Sequence, residues 1–121
     1  MSITLTTTAT VSVNNVVVES DTNAAVTYFE MGYPDSLRVF ISYGTTVGQL
    51  FTPGTTLPKV IVNYNLHDGT WTSSTGVSGT LTGPQLTAAQ GVALSIRNSL
   101  ETLSAATVTP GATVAWTTGM F

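Results

Sequence analysis

The sequence predicts a mostly β (α+β) fold: an antiparallel sheet or sandwich with one amphipathic helix, about residues 84–103, packed on it. Three observations predict it. Apolar residues alternate with hydroxyl residues through Ile3–Val13, the period of two that rests one face of a strand on a core. Turn-forming pairs such as Asn14-Asn15 and Asp68-Gly69 separate short runs rich in β-branched residues. A single stripe of apolar residues at spacings of three and four follows Pro84.

The elements follow in order. Ile3, Leu5, Ala9, Val11 and Val13 share one face of the first strand, with Thr4, Thr6, Thr8, Thr10 and Ser12 on the other. Asn tolerates positive φ, so Asn14-Asn15 predicts a two-residue hairpin turn that folds residues 16–19 back; a bulge in one long strand is the alternative. Residues 20–23, Ser-Asp-Thr-Asn, read as a break, after which residues 25–31 resume as a strand. The cluster Gly32-Tyr33-Pro34-Asp35-Ser36 is a turn.

The next strand carries Leu37, Val39, Ile41 and Tyr43 on one face, and its partner carries Val60, Val62 and Tyr64. Residues 44–58 between them read as a long loop, broken by Gly44, Gly48, Pro53, Gly54 and Pro58 yet apolar at Val47, Leu50 and Phe51. Loops of that length are functional or disordered as a rule, and the apolar triplet argues against disorder. Asp68-Gly69 predicts a hairpin into a short strand at residues 70–72, and residues 73–79 read as a weak edge strand or a loop. For the helix, Thr82 is the candidate cap and Pro84 suits the first turn. Leu86, Ala89, Ala93, Ile96, Leu100 and Leu103 form its stripe, with Gln85, Gln90, Arg97, Asn98 and Glu101 assigned to a polar back. A last strand is expected after Pro110-Gly111, with Ala112, Val114 and Trp116 on one face.

Composition narrows the function. A chain of 121 residues is expected to be one domain, burying roughly two-thirds of its extended-chain surface. With no Cys there are no disulfides, thiolate metal sites or Cys nucleophiles. Charged residues are only 7 % and Thr numbers 24, so hydroxyls rather than charges make the surface polar. Three cations, Arg38, Lys59 and Arg97, cannot line a nucleic-acid groove. A net charge of −3 with a mean hydropathy of +0.30 gives copies little mutual repulsion, which favours self-association. No signal peptide or membrane span is legible, so the expectation is synthesis in a cytoplasm without export by the usual N-terminal route.

Catalytic patterns are thin. His67-Asp68 adjoins a base and a carboxylate, but in a hairpin turn the two point apart and Asp-Gly already has a conformational reason. A Ser/His/Asp set from Ser36, His67 and Asp35 has no supporting spacing, and no Gly-x-Ser-x-Gly elbow is present. Glu30, set between Phe29 and Met31, has Arg38 as its expected partner in a surface ion pair across strands. One His without Cys disfavours zinc, and Asp21-Thr22-Asn23 lacks the further ligands of a calcium loop; no cofactor is expected. Tyr43, Tyr64 and Trp71, near strand ends, form a candidate aromatic contact surface for a sugar or a protein.

A Met-initiated, Cys-free, Thr-rich chain with Thr-alternating strands, the apolar loop Gly48-Gln49-Leu50-Phe51-Thr52-Pro53-Gly54 and one late helix resembles small bacteriophage virion proteins. These are capsid decoration or cement proteins and minor tail or baseplate components. The resemblance implies a non-enzymatic structural protein of the virion, made in the host cytoplasm, whose partners are copies of itself and other virion proteins. The contact residues expected are Val47, Leu50 and Phe51, on an arm docking into a neighbour, together with strand edges near Met1 and Phe121. Two alternatives stay open. One is the coat protein of a small RNA phage, where nucleic acid enters only as weak packaging through few contacts per copy. The other is a small carbohydrate-binding or adhesion module.

Overall fold

A computed structural model of the chain describes residues 2–111. The strand expected at residues 112–117 and the contacts expected at Met1 and Phe121 lie outside the described residues. In chain order the elements are β1 (Ile3–Val13), β2 (Val16–Gly32), β3 (Ser36–Val47), β4 (Leu50–Pro53), β5 (Val60–Asn65), β6 (Thr70–Ser73), β7 (Ser78–Thr80) and α1 (Gly83–Val108). The strands belong to one antiparallel sheet in the order β1-β2-β3-β5-β6-β7, with β4 paired to β3. The mostly β fold with one helix is thus the one the alternation predicts, and it takes the form of a sheet.

The chain divides into two compact units. The first takes the chain up to Glu30, Arg38–Asn63 and Thr72–Val77; the second takes Met31–Leu37, Tyr64–Trp71 and the chain from Ser78 onward.

In the first unit, Asn14 and Asn15 both adopt positive φ, 52° and 63°, and Val13 pairs Val16. The hairpin turn is therefore present, and the bulge read as its alternative is not at that place. Leu5, Ala9 and Val11 are half-buried while the threonines between them are exposed, but Ile3 and Val13, which the alternation places on the same face, are 54 % and 56 % exposed, so only the middle of that face is covered. The break expected at residues 20–23 is absent, because β2 runs unbroken through them. The irregularity sits on β1 instead: Thr4 pairs Asn23 and Ala9 pairs Asp21, so Leu5, Thr6, Thr7 and Thr8 span what Thr22 spans alone. Farther along, Thr27 and buried Ser42 share a hydroxyl hydrogen bond of 2.7 Å, and the rings of Tyr28 and Phe40 meet edge-on at 5.2 Å. Ala24, Ala25 and Val62 are its buried apolar residues among those described.

Residues 44–58 are not one long loop. β3 continues to Val47, turns through Gly48-Gln49 with Gly48 at φ 62°, and returns as β4 with Val47 opposite Leu50 and Gly44 opposite Pro53. A two-residue turn with positive φ at its first position suits a tight hairpin, and the glycines and prolines around it hide the apolar cross-strand pair of Val47 and Leu50.

In the second unit, α1 begins with a capping box. Thr82 Oγ1 accepts from the Gln85 amide at 3.3 Å, and Gln85 Oε1 accepts from the Thr82 amide at 3.0 Å, satisfying two donors that helix geometry leaves free. The stripe is buried only in its first half: Ala93 is buried and Leu86, Ala89 and Ile96 are half-buried, whereas Leu100 and Leu103 are 56 % and 79 % exposed. The polar back expected of this helix is corrected as well. Gln90 Nε2 donates to the Leu66 carbonyl at 2.6 Å, Arg97 donates to the Pro34 carbonyl at 3.0 Å, and Asn98 is buried. The helix thus turns toward partners that carry acceptors, and Leu66, 1 % exposed, is the large apolar residue at its side.

Candidate functional site

β1 stands at one end of the strand order, with β2 as its neighbour among the described residues. An outer strand presents unpaired N–H and C=O groups to whatever strand arrives. Natural edges are blunted with Lys, with Pro or by shortness; β1 has eleven residues, and no charged residue and no Pro precede Glu19. The hairpin end that it forms with β2 is apolar on both faces, since Val13, Val16, Val17 and Val18 are all between 56 % and 62 % exposed.

The β3–β4 hairpin offers a second apolar tip. Val47 and Leu50 are 79 % and 71 % exposed, facing each other across the turn. Phe51 differs from them: it is half-buried, and a methyl on Gly44 would lie 2.7 Å from its Cζ, so its ring packs on its own hairpin. Beside this tip lies a cavity of about 450 Å³ lined by Ser2, Thr46, Gly48, Gln49 and Phe51. Its rim is tied by the 2.8 Å hydrogen bond between the Ser2 and Thr46 hydroxyls.

Of the aromatic residues singled out, Tyr64 and Trp71 are neighbours, with ring centroids 6.5 Å apart, and both are half-buried. Trp71 also covers Gly79, where an added Cβ would lie 2.8 Å from Cζ2. Tyr43, half-buried on β3, belongs to the other unit. The Glu30–Arg38 pair forms as expected, at 3.7 Å with both side chains about half exposed, and Arg38 also stacks over Phe40 at 5.4 Å.

His67 and Asp68 occupy the turn after β5. Asn65 Oδ1 accepts from the His67 amide at 2.8 Å, while Asp68 Oδ1 accepts from the Thr70 amide at 2.9 Å and its hydroxyl at 2.7 Å. Those Thr70 donors, the amide first, hold the Asp68 carboxyl below its ordinary range. The carboxylate is spent on shaping the turn. Among the described residues, no group of three or more His, Asp and Glu is placed to hold a metal ion, and no helix is long and apolar enough to cross a membrane.

A carboxylate pair that the sequence reading passed over lies on β2. Asp21 is 3 % exposed, and Glu19 shares its face because strand side chains repeat every second residue. Glu19 Oε1 accepts from the Thr55 amide at 3.0 Å and the Thr56 amide at 3.3 Å. A Cβ on Gly54 would lie 2.9 Å from both Glu19 Oε2 and Asp21 Oδ2. The available signal is the Glu-x-Asp spacing, which puts both carboxylates on one face only when residues 20–23 continue the strand, as they do in β2.

Compared with known proteins, the chain matches no family model, no curated protein and no solved structure.

Proposed function

We propose that this chain is a non-catalytic structural protein that assembles with copies of itself, as small bacteriophage virion proteins do, through the open edge of β1 and the apolar hairpins of the same unit. The observation that carries this reading is the edge itself: among the described residues β1 is an outer strand, eleven residues long, with no charge and no Pro. A neutral strand laid antiparallel on its own copy opposes no like charges, so a second copy is the partner with the least electrostatic cost. The irregularities between Thr4 and Ala9 and between Val11 and Ser12 divide the pairing of β1 with β2 into short regular stretches, the last of them, Ser12–Val13, next to the exposed valines. Sixteen large apolar or aromatic side chains among the described residues are exposed, while the buried apolar residues are three alanines, one valine and one leucine. That balance supports surfaces that a partner covers.

RNA packaging gains no support. Arg38 is engaged with Glu30 and Phe40, and Arg97 with the Pro34 carbonyl and the Tyr33 ring, which commits two of the three cations to the fold.

The test is the solution mass by light scattering from nanomolar to tens of micromolar, for the native sequence and for Thr8→Lys with Thr10→Lys. The native chain is expected to rise in discrete steps above 12.6 kDa, and the double variant to stay at that mass with an unchanged circular dichroism spectrum. A native chain that is monomeric throughout, or a variant that assembles equally well, overturns the reading.

A further inference from the structure

The first unit contains a polar arrangement that assembly through β1 does not use. Asp21 Oδ2 and Glu19 Oε2 are both buried with no donor assigned to them, yet both crowd the same point above Gly54, 2.9 Å from where its Cβ would be. Two carboxylate oxygens are acceptors only, so their approach becomes a hydrogen bond when one of them carries a proton and a repulsion when neither does.

Among the described residues, no cation forms an ion pair with either carboxylate. β1, which pairs this stretch through Ala9 and Val11, has no titratable side chain, and residues 54–58 have none; Lys59 follows them in sequence. On β2 the remaining charge is Glu30, already paired with Arg38 of β3. β3 further contributes the Tyr43 carbonyl, which accepts from the Gly54 amide at 2.7 Å and sets the segment over the pair.

We infer that Glu19 and Asp21 share a single proton and with it form a pH-gated latch that holds residues 54–57 on β2. Asp21 keeps the proton and Glu19 the charge: burial, then the hydrogen bond and charge of Glu19, push the Asp21 carboxyl up, while the Thr55 amide, ahead of the remaining donors, holds Glu19 down. The two signs bound a window. The raised Asp21 contributes stability that is present below the unfolded carboxylate value and lost as pH rises through its folded value, where two charges face each other. The lowered Glu19 contributes stability that is present above the unfolded value and lost as pH falls through its folded value, where Thr55 and Thr56 no longer donate to a charge. The latch is tightest between the two, and the pair titrates as one coupled unit.

The experiment is hydrogen exchange at the Thr55 and Thr56 amides followed by NMR from pH 3 to 8, read as protection factors, with a ¹³C titration of both side-chain carboxyls in the native chain. Protection is expected to peak in the window and to fall on each side by up to about tenfold per pH unit, the slope of one linked proton. Asp21→Asn, a permanent neutral donor, is expected to remove the high-pH fall and keep the low-pH one; Glu19→Gln is expected to remove the low-pH fall. The carboxyls are expected to titrate one above and one below the ordinary range, a readout that requires no variant. Flat protection across the range, two ordinary titrations, or recovery of high-pH protection on adding millimolar Ca²⁺, which would put a cation where the proton is assigned, overturns the inference.

Discussion

The indole of Trp71 lies so close over Gly79 that a methyl group at that glycine would stand 2.8 Å from Cζ2 and 3.0 Å from Cε2. Both residues belong to one unit and to the strands β6 and β7, so the ring seals the β6–β7 pair where a side chain would otherwise separate them. Gly79→Ala is expected to destabilise the chain by about 1–3 kcal/mol, the usual cost of overpacking. Chemical denaturation measures it. Because the obstacle is a side chain, adding Trp71→Leu to Gly79→Ala is expected to recover at least half of that loss, a coupling a double-mutant cycle reads directly. Strict additivity would show that the ring and the glycine do not constrain each other.

Gly44 poses the contrasting case. An added Cβ would collide with the Thr52 carbonyl and lie 2.7 Å from Phe51 Cζ, and a backbone oxygen in a paired strand cannot swing aside as a ring can. Gly44→Ala is therefore expected to open the β3–β4 hairpin, seen as loss of protection at the backbone amides of β4. Phe51→Ala in the same chain is expected not to restore it. Restoration would mean that the ring, not the carbonyl, sets the limit.

These two glycines show where sequence reading stops. Asn14-Asn15, Thr82 and Pro84 were legible because a turn and a helix cap are decided within a few residues. From sequence Gly44 reads only as a breaker and Gly79 only as the end of a weak edge strand or loop, since the reason for each is a partner brought in by pairing. The same limit hid Asp21, whose burial depends on residues 54–57, and misplaced Gln90, Arg97 and Asn98, whose side of the helix is chosen by the carbonyls of Leu66 and Pro34 and by burial. Leu100 and Leu103 obey the helical period and are exposed, because periodicity gives a stripe but not its covered length. The apolar character of Val47 and Leu50 was plain; that Phe51 would pack on Gly44 instead of facing outward was not.

The capping box at Thr82 gives a local prediction. Thr82→Ala removes the acceptor for the Gln85 amide and is expected to cost about 1 kcal/mol, within the range for lost caps, lowering the thermal midpoint by several degrees. Thr82→Ser keeps the hydroxyl and is expected to retain most of the stability. Equal losses for Ala and Ser would show that the Thr methyl, not the hydroxyl, matters at this position.

The turn after β5 carries a pH dependence whose sign follows from Asp68. Its carboxylate accepts from the Thr70 amide and hydroxyl, and these donors, with a smaller contribution from the His67 charge, hold the folded value below the ordinary one. The folded state therefore binds its proton less readily than the unfolded chain. The contribution to stability is present above the unfolded carboxylate value and is lost as pH falls through the lowered one. Protection of the Thr70 amide is expected to decline over that acidic range, measured by hydrogen exchange. Asp68→Asn keeps an acceptor without a titrating proton and is expected to flatten the profile. His67→Ala is expected to leave it nearly unchanged, because the Thr70 amide and hydroxyl donate directly to the carboxylate whereas His67 acts only through its charge; a profile that moves with His67 would assign the effect to the imidazole.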